Sequence, residues 1–103
     1  MRERYNRFMT KKQKTAKQME RHFKGIANHH RIEILLLVEN NSGITVWDIA
    51  DSLRANRKTI SQHTRYLVQA GLVIKQYRGR NVEHALSPYG KIFIKFVKSF
   101  QRI

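Results

Sequence analysis

The apolar positions follow a helical spacing over the first two thirds of the chain. In residues 10–27, 45–53 and 57–69 they recur three and four apart, which places them on one helical face and predicts three amphipathic helices. Residues 29–40 are apolar almost all round, and a helix with so little polar surface is expected at the centre of the core.

The spacing then changes to two. Apolar residues alternate in 72–77 and 81–86, which predicts two strands of a hairpin with Gly79 at the tip. Residues 88–101 return to helical spacing, and Ile44 is expected to form a short strand edge. The predicted fold is mainly α with a small β-hairpin, in the order α-α-(β)-α-α-β-β-α.

Short polar residues mark the predicted helix starts, because their side chains accept hydrogen bonds from free backbone N–H groups. These residues are Thr10, Asn28, Thr45, Asn56 and Ser87. Thr10 with Gln13, and Thr45 with Asp48, have the spacing of capping boxes. Gly71 is expected to end the helix that begins after Asn56.

Residues 45–69 have the pattern of a helix-turn-helix. The second helix is expected to bury Ile60, Thr64 and Leu67, and its other face carries side chains that donate hydrogen bonds to base edges and phosphates. The predicted nucleic-acid contacts on this helix are Arg57, Lys58, Thr59, Ser61, Gln62, His63 and Arg65. A basic helix face that is merely solvated is the alternative.

The hairpin directly follows these helices and carries arginine on both sides of its glycine. Arg78 and Arg80 are predicted to reach a minor groove or a phosphate, which makes the hairpin a wing and the predicted fold a winged helix-turn-helix. An exposed hairpin whose arginines serve only solubility is the alternative.

Charge favours a polyanionic partner. The chain has 103 residues, with 21 Lys and Arg against 7 Asp and Glu, a net charge of +14 and a pI of about 10.9. Such an excess repels itself in a compact state, and nucleic acid is favoured over an anionic membrane surface. The length predicts one domain at residues 10–103, preceded by a basic arm at residues 1–9.

The chain has no cysteine, which excludes disulfides, thiolate metal ligands and cysteine nucleophiles. The longest apolar run, residues 34–38, is far too short to cross a bilayer, and no apolar segment of a secretory signal follows the charged N-terminus. We therefore expect no membrane association and a cytoplasmic, nucleoid-associated protein.

The last helix is unusually rich in phenylalanine. Together with residues 10–27 it is predicted to form a homodimer interface, because so many aromatic residues exceed what one small core needs. The predicted interface residues are Phe93, Phe96, Val97 and Phe100. Packing on the protomer's own core is the alternative.

Several segments, taken in order, resemble the arsenical-repressor-like winged-helix regulators, with the multiple-antibiotic-resistance regulators as cousins. The resemblance lies in NHHRIEIL at 28–35, DIADSL at 48–53, TISQH at 59–63, LVQAGLV at 67–73 and LSPYG at 86–90. It implies a dimeric repressor-type protein whose residues 57–65 enter the major groove. The sequence departs from the family where Thr64 replaces the usual leucine.

The resemblance raises the question of metal sensing, which we do not predict. The first motif helix lacks the cysteine pair, and residues 88–101 contain no His, Asp or Glu for the family's interhelical zinc site. His29 and His30 are adjacent and are not expected to face one point on a helix. We predict no metal and no cofactor.

These observations favour a regulator that binds specific double-stranded DNA sequences as a homodimer, most simply a repressor. Nonspecific architectural binding of DNA or RNA is the alternative. An enzyme is not predicted, because there is no glycine-rich phosphate loop and the acidic residues are scattered. The operator and any effector ligand, including a small apolar molecule between the terminal helices, stay open.

Overall fold

The computed structural model describes residues 13–103, and in that part of the chain five helices and one hairpin follow the predicted order. The elements are α1 (Ala16–Ile26), α2 (His29–Asn40), α3 (Val46–Leu53), α4 (Arg57–Gln69), β1 (Val73–Arg78), β2 (Asn81–Leu86) and α5 (Pro88–Gln101). This confirms the predicted fold class. The predicted arm at residues 1–9 and the cap at Thr10 lie outside the described residues.

Helix α1 starts later than the predicted helix 10–27. Its N-cap is Thr15, whose Oγ1 accepts from the backbone N–H of Gln18 at 3.1 Å while its own N–H donates to Gln18 Oε1 at 2.9 Å. The sequence contains the capping-box pattern twice, as TKKQ at 10–13 and TAKQ at 15–18. The structure uses the second, so the predicted helix was wrong for residues 13–15.

The other predicted caps are confirmed. Each cap side chain accepts hydrogen bonds from backbone N–H groups at 2.8–3.3 Å. These caps are Asn28, Thr45, Asn56 and Ser87. At Thr45 the hydroxyl accepts from Asp48 N–H, which is one of the two hydrogen bonds of the predicted capping box. Helix α4 ends before Gly71, whose φ is +78°.

Helix α2 lies at the centre of the core, as its pattern predicted. Ile34 and Leu35 are fully buried, and the helix-turn-helix packs against them through Ile49, Ile60 and Leu67, which are fully buried too. Each such side chain contributes about 1.5–3 kcal/mol when it leaves water. The core therefore fixes the helix-turn-helix onto α2.

The segment from Ala70 to Leu72, where α4 ends, is bound from two sides. His22 of α1 donates from Nδ1 to the Ala70 carbonyl at 2.7 Å. Ser87, the N-cap of α5, binds from the other side. Its hydroxyl donates to the Gly71 carbonyl at 2.6 Å, and its backbone N–H donates to the Leu72 carbonyl at 3.1 Å. Both terminal helices are thereby attached to the end of α4.

Two glycines allow this close approach. A Cβ at Gly25 of α1 would collide with the side chain of Ala70, and a Cβ at Gly90 of α5 would collide with the backbone of Leu72. Side chains at these positions would separate the terminal helices from the end of α4.

The wing is a regular antiparallel hairpin with register Val73↔Leu86 to Arg78↔Asn81. Arg78 is the last residue of β1, so the connection is the two residues Gly79 and Arg80 and not the three predicted. Gly79 has a φ of +58°, and glycine at the first turn position is typical of a type II′ hairpin.

The base of the wing is anchored by His84. The side chain is buried, and its Nδ1 donates to the Ile44 carbonyl at 3.0 Å, beside an isolated β-bridge between the same two residues. Burial lowers the pKa of His84 and so favours the neutral form of the ring. The bridge confirms the predicted strand edge at Ile44.

The turn between α3 and α4 contains a strained residue. Arg54 adopts the left-handed conformation, with φ 51° and ψ 44°, which costs a residue with a side chain about 1–2 kcal/mol. Its backbone N–H nevertheless bonds to the Ala50 and Asp51 carbonyls, which closes helix α3.

We expect Arg54→Gly to raise the free energy of unfolding by about 0.5–1 kcal/mol, because glycine removes the strain but adds entropy to the unfolded chain. Urea denaturation measures the change. Arg54→Ala is the matched control, since it removes the same charge and keeps the strain; a gain as large as that of glycine would show that charge and not backbone conformation is responsible.

Candidate nucleic-acid interface

Helix α4 presents one face to the core and another to solvent, and the buried face is the predicted one. Ile60, Thr64 and Leu67 are each at most 1% exposed. Thr64 packs in place of a leucine, but its hydroxyl has no hydrogen-bond partner among the described residues. The orientation of α4 about its axis is thus fixed by its own apolar residues.

The outer face of α4 is cationic and polar. Arg57, Lys58, Gln62 and Arg65 are exposed, and Ser61 is half-buried between them. Thr59 and His63, also predicted to contact nucleic acid, are half-buried at the edges of this face. The first residues of the helix therefore present the densest set of hydrogen-bond donors.

The wing and the start of α4 enclose a cleft of about 680 Å³. The lining comes from the start of α3, the first turns of α4 and the tip of the wing: Thr45, Val46, Trp47, Arg57, Lys58, Ser61, Arg80, Asn81 and Val82. Four of the predicted contact residues, Arg57, Lys58, Ser61 and Arg80, are therefore brought together at one surface.

Arg78 lies apart from this cleft. Its Nε is 3.6 Å from Glu83 Oε1, an ion pair across the hairpin, and it lines a separate depression with Gln76 and His84. Of the two predicted wing arginines, only Arg80 lines the same cleft as α4.

Arg57 is held by two residues of α3. Its guanidinium lies 3.6 Å from the centroid of the Trp47 ring and its Nη2 lies 4.0 Å from Asp51 Oδ1. A cation at a helix N-terminus is disfavoured by the helix dipole, whereas a ring face and a carboxylate both attract it. These contacts orient Arg57 before any ligand arrives.

His63 turns toward α2. Its ring stacks on that of His30, with centroids 5.2 Å apart and planes 26° apart. Burial lowers the pKa of His63, and the nearby positive charge of Arg31 lowers it further. Both effects favour the neutral form of the ring.

The two terminal helices share an apolar surface on another side of the molecule. Phe93 and Val97 are half-buried against the protomer's own core, while Phe96 and Phe100 are 60% and 67% exposed. Apolar side chains of both helices line a groove of about 410 Å³ beside them: Met19, Phe23, Tyr89, Ile92, Phe93 and Phe96. Capping of the protomer's own core thus accounts for only some of the aromatic residues.

Helices α3 and α4 at a tight turn, the donor-rich outer face of α4 and the adjacent hairpin define a winged helix-turn-helix. Residues 28–75 match the family described as "Bacterial regulatory protein, arsR family". This match agrees with the resemblance that the sequence motifs indicated.

The "Arsenical resistance operon repressor" of Escherichia coli K12 is 31% identical over 67 residues, which are 65% of this chain. The aligned part spans 57% of that repressor's length. The family and this relative are described as regulators and not as enzymes, in agreement with the sequence-based expectation.

Solved structures share the fold over most of the chain. HlyU from Vibrio cholerae superposes with a TM-score of 0.76 at 25% identity, covering 85% of this chain and 96% of that one. A possible ArsR-family regulator from Mycobacterium bovis, a homodimeric winged helix-turn-helix domain in solution, gives a TM-score of 0.75 at 23% identity, covering 90% and 91%. In the described part of this chain no helix has the length and apolar character needed to cross a membrane.

The sequence did not indicate the role of Trp47. It stands ten residues before Arg57, and only the turn between α3 and α4 brings the two together. One feature of the sequence could have pointed to this residue. A tryptophan in the first turn of a short helix, off its apolar face, is not needed for the core, and Trp47 is 61% exposed.

We expect a double-mutant cycle of Trp47→Leu and Arg57→Gln to give a coupling free energy of about 0.5–1 kcal/mol, the usual strength of an exposed cation–π contact. Urea denaturation of the two single variants and the double variant measures it. A cycle of Trp47→Leu with Arg65→Gln is the control and should give no coupling. Equal coupling in both cycles would mean that Trp47 does not hold Arg57.

Proposed function

We propose that this protein is a transcriptional regulator that binds specific double-stranded DNA sequences as a homodimer, most simply as a repressor acting in the cytoplasm on nucleoid DNA. The observation that carries the proposal is the cleft in which donors of α4 and of the wing converge. The arsR-family match over residues 28–75 supports it.

In this proposal α4 is the recognition helix and lies in the major groove. The N-terminal residues of a recognition helix contact base edges, and here these are Arg57, Lys58 and Ser61, with Gln62 and Arg65 further along the exposed face. Arginine pairs with two acceptors of guanine and glutamine with adenine. The mixture of Arg, Ser and Gln favours base reading over simple attraction to phosphates.

The wing would contact the DNA beside the recognition helix. Arg80 at the tip is exposed and faces the same cleft as Arg57, so the two can contact one duplex. Arg78 is paired with Glu83 and would have to exchange that partner for a phosphate. We therefore assign Arg78 a smaller contribution to DNA affinity than Arg80.

The proposed dimer interface is the apolar surface of α1 and α5. Beyond Phe96 and Phe100, it includes Phe23 at 54% exposure and Ile92 at 65%. A monomer rarely leaves so contiguous an apolar patch in water, and a second copy offers the same patch in return, as twofold symmetry requires. The two recognition helices would then reach successive major grooves about 34 Å apart.

Selection from a random duplex pool at about 0.15 M salt tests the DNA-binding proposal. We expect a palindrome with half-sites about ten base pairs apart. Arg57→Ala should weaken binding to it by about 1–3 kcal/mol and relax the preference at one base pair. Lys95→Ala, which removes an exposed charge of α5, should leave the preference unchanged.

A pool that yields no motif, combined with binding that falls steeply with salt, would replace the specific regulator with a nonspecific nucleic-acid-binding protein. The net charge of +14 favours that second function. Loss of binding in Lys95→Ala equal to that in Arg57→Ala would lead to the same conclusion.

Substitution of Phe96 tests the dimer. Sedimentation equilibrium should give two chains for the wild type and one for Phe96→Lys, because the new charge would be buried in the interface. Tyr77→Lys is the control, since Tyr77 of the wing is 71% exposed and lies outside this surface. A monomeric wild type, or a Phe96→Lys variant that stays dimeric while folded by circular dichroism, would contradict the proposed interface.

A further inference from the structure

Two imidazoles and a carboxylate meet at the first turn of α2. The ligand atoms of His29, His30 and Glu33 all lie within 4.8 Å of one another. The centroids of the two imidazole rings are 4.0 Å apart. The expectation that adjacent histidines cannot face one point was therefore wrong.

The helix start explains this arrangement. His29 and His30 are the first two residues of α2, and helical side chains lean toward the N-terminus, where no preceding turn separates the rings. Glu33 is four residues after His29 and three after His30, so it lies one turn further along on the side of both. The three groups point into the same volume.

These donors suit a borderline divalent metal ion. Zinc in proteins is bound by histidine nitrogen and carboxylate oxygen at about 2.0–2.2 Å, which requires donor atoms roughly 3.3 Å apart in a tetrahedron. His29 and Glu33 are exposed and His30 is half-buried, so modest side-chain rotations close the remaining gap. Calcium and magnesium require mostly oxygen ligands.

The surrounding charge sets the kind of ion that can bind. Glu33 supplies the only negative charge of the three, and the helix N-terminus opposes a cation. Arg31 is turned toward α4, with its guanidinium 4.0 Å from the centroid of the Tyr66 ring. Affinity must therefore come from imidazole coordination, which favours Zn²⁺, Ni²⁺ or Co²⁺ over a purely electrostatic ion.

We propose that His29, His30 and Glu33 form a binding site for one divalent transition-metal ion of this class, with water completing the coordination. The ring of His30 stacks on that of His63 in α4, so one ligand of the site contacts the helix to which DNA binding is assigned. The site itself does not depend on the proposed function, because its ligands come from α2 alone.

Metal titration of the untagged full chain tests the site. Co²⁺ should give the visible absorption bands of a site with nitrogen ligands at one ion per chain, and Zn²⁺ should displace it. We expect His29→Gln and Glu33→Gln each to weaken Zn²⁺ binding about tenfold or more in competition with a chelator. Glu20→Gln, which removes an exposed carboxylate of α1, is the matched control.

Two results would overturn the site. One is the absence of both the Co²⁺ bands and stoichiometric Zn²⁺ binding in the wild type. The other is a double variant, His29→Gln with Glu33→Gln, that is folded by circular dichroism and binds Zn²⁺ as tightly as the wild type. Neither result depends on DNA, so failure here leaves the regulator proposal to its own experiment.

Discussion

The rest of the structure depends on how the backbone carbonyl groups just after α4, those of residues 70–72, are satisfied. A buried backbone carbonyl needs a hydrogen-bond donor, and here α1 and the N-cap of α5 supply the donors. His22 bonds to Ala70, and Ser87 bonds to Gly71 and Leu72. Elements far apart in sequence are thereby fixed to the helix that carries the donor-rich face.

The charge of the molecule is organised around this frame. The buried face of α4 is apolar apart from Thr64, so its cations project outward together, and mutual repulsion between them opposes folding. Trp47 and Asp51 reduce that penalty for Arg57 by offering a ring face and a carboxylate. The same contacts already restrict the side chain of Arg57, so that it would lose less conformational entropy on binding a ligand.

Much of the fold could be predicted because the local signals agree with the tertiary structure. Helix α2 has the predicted bounds, and Asn28, Asn56 and Ser87 cap the helices as expected. The start of α1 could not be predicted, since two identical cap patterns lie five residues apart.

The candidate site was less accessible to sequence reasoning. The donors of α4 are consecutive in sequence, and their common face follows from helical geometry. Contacts between elements carry no such periodic signal: Trp47 on Arg57 crosses a turn, and His30 on His63 joins two residues more than thirty positions apart in the sequence. Arg78 lies outside the cleft because it is the last residue of β1 and not part of the hairpin turn, which is one residue shorter than expected.

The wing has a fixed base and an unsupported end. Val73, His84 and Leu86 are buried at the base, where two backbone hydrogen bonds join His84 to Gly43 and Ile44 at 2.9 Å, whereas residues 78–81 are exposed. A two-stranded ribbon of this kind bends most easily where no third element touches it. In the proposed complex with DNA, the tip would thus follow variations in groove width from one duplex to another while the helix beside it keeps its position, so that adaptability and rigidity reside in neighbouring parts of one surface.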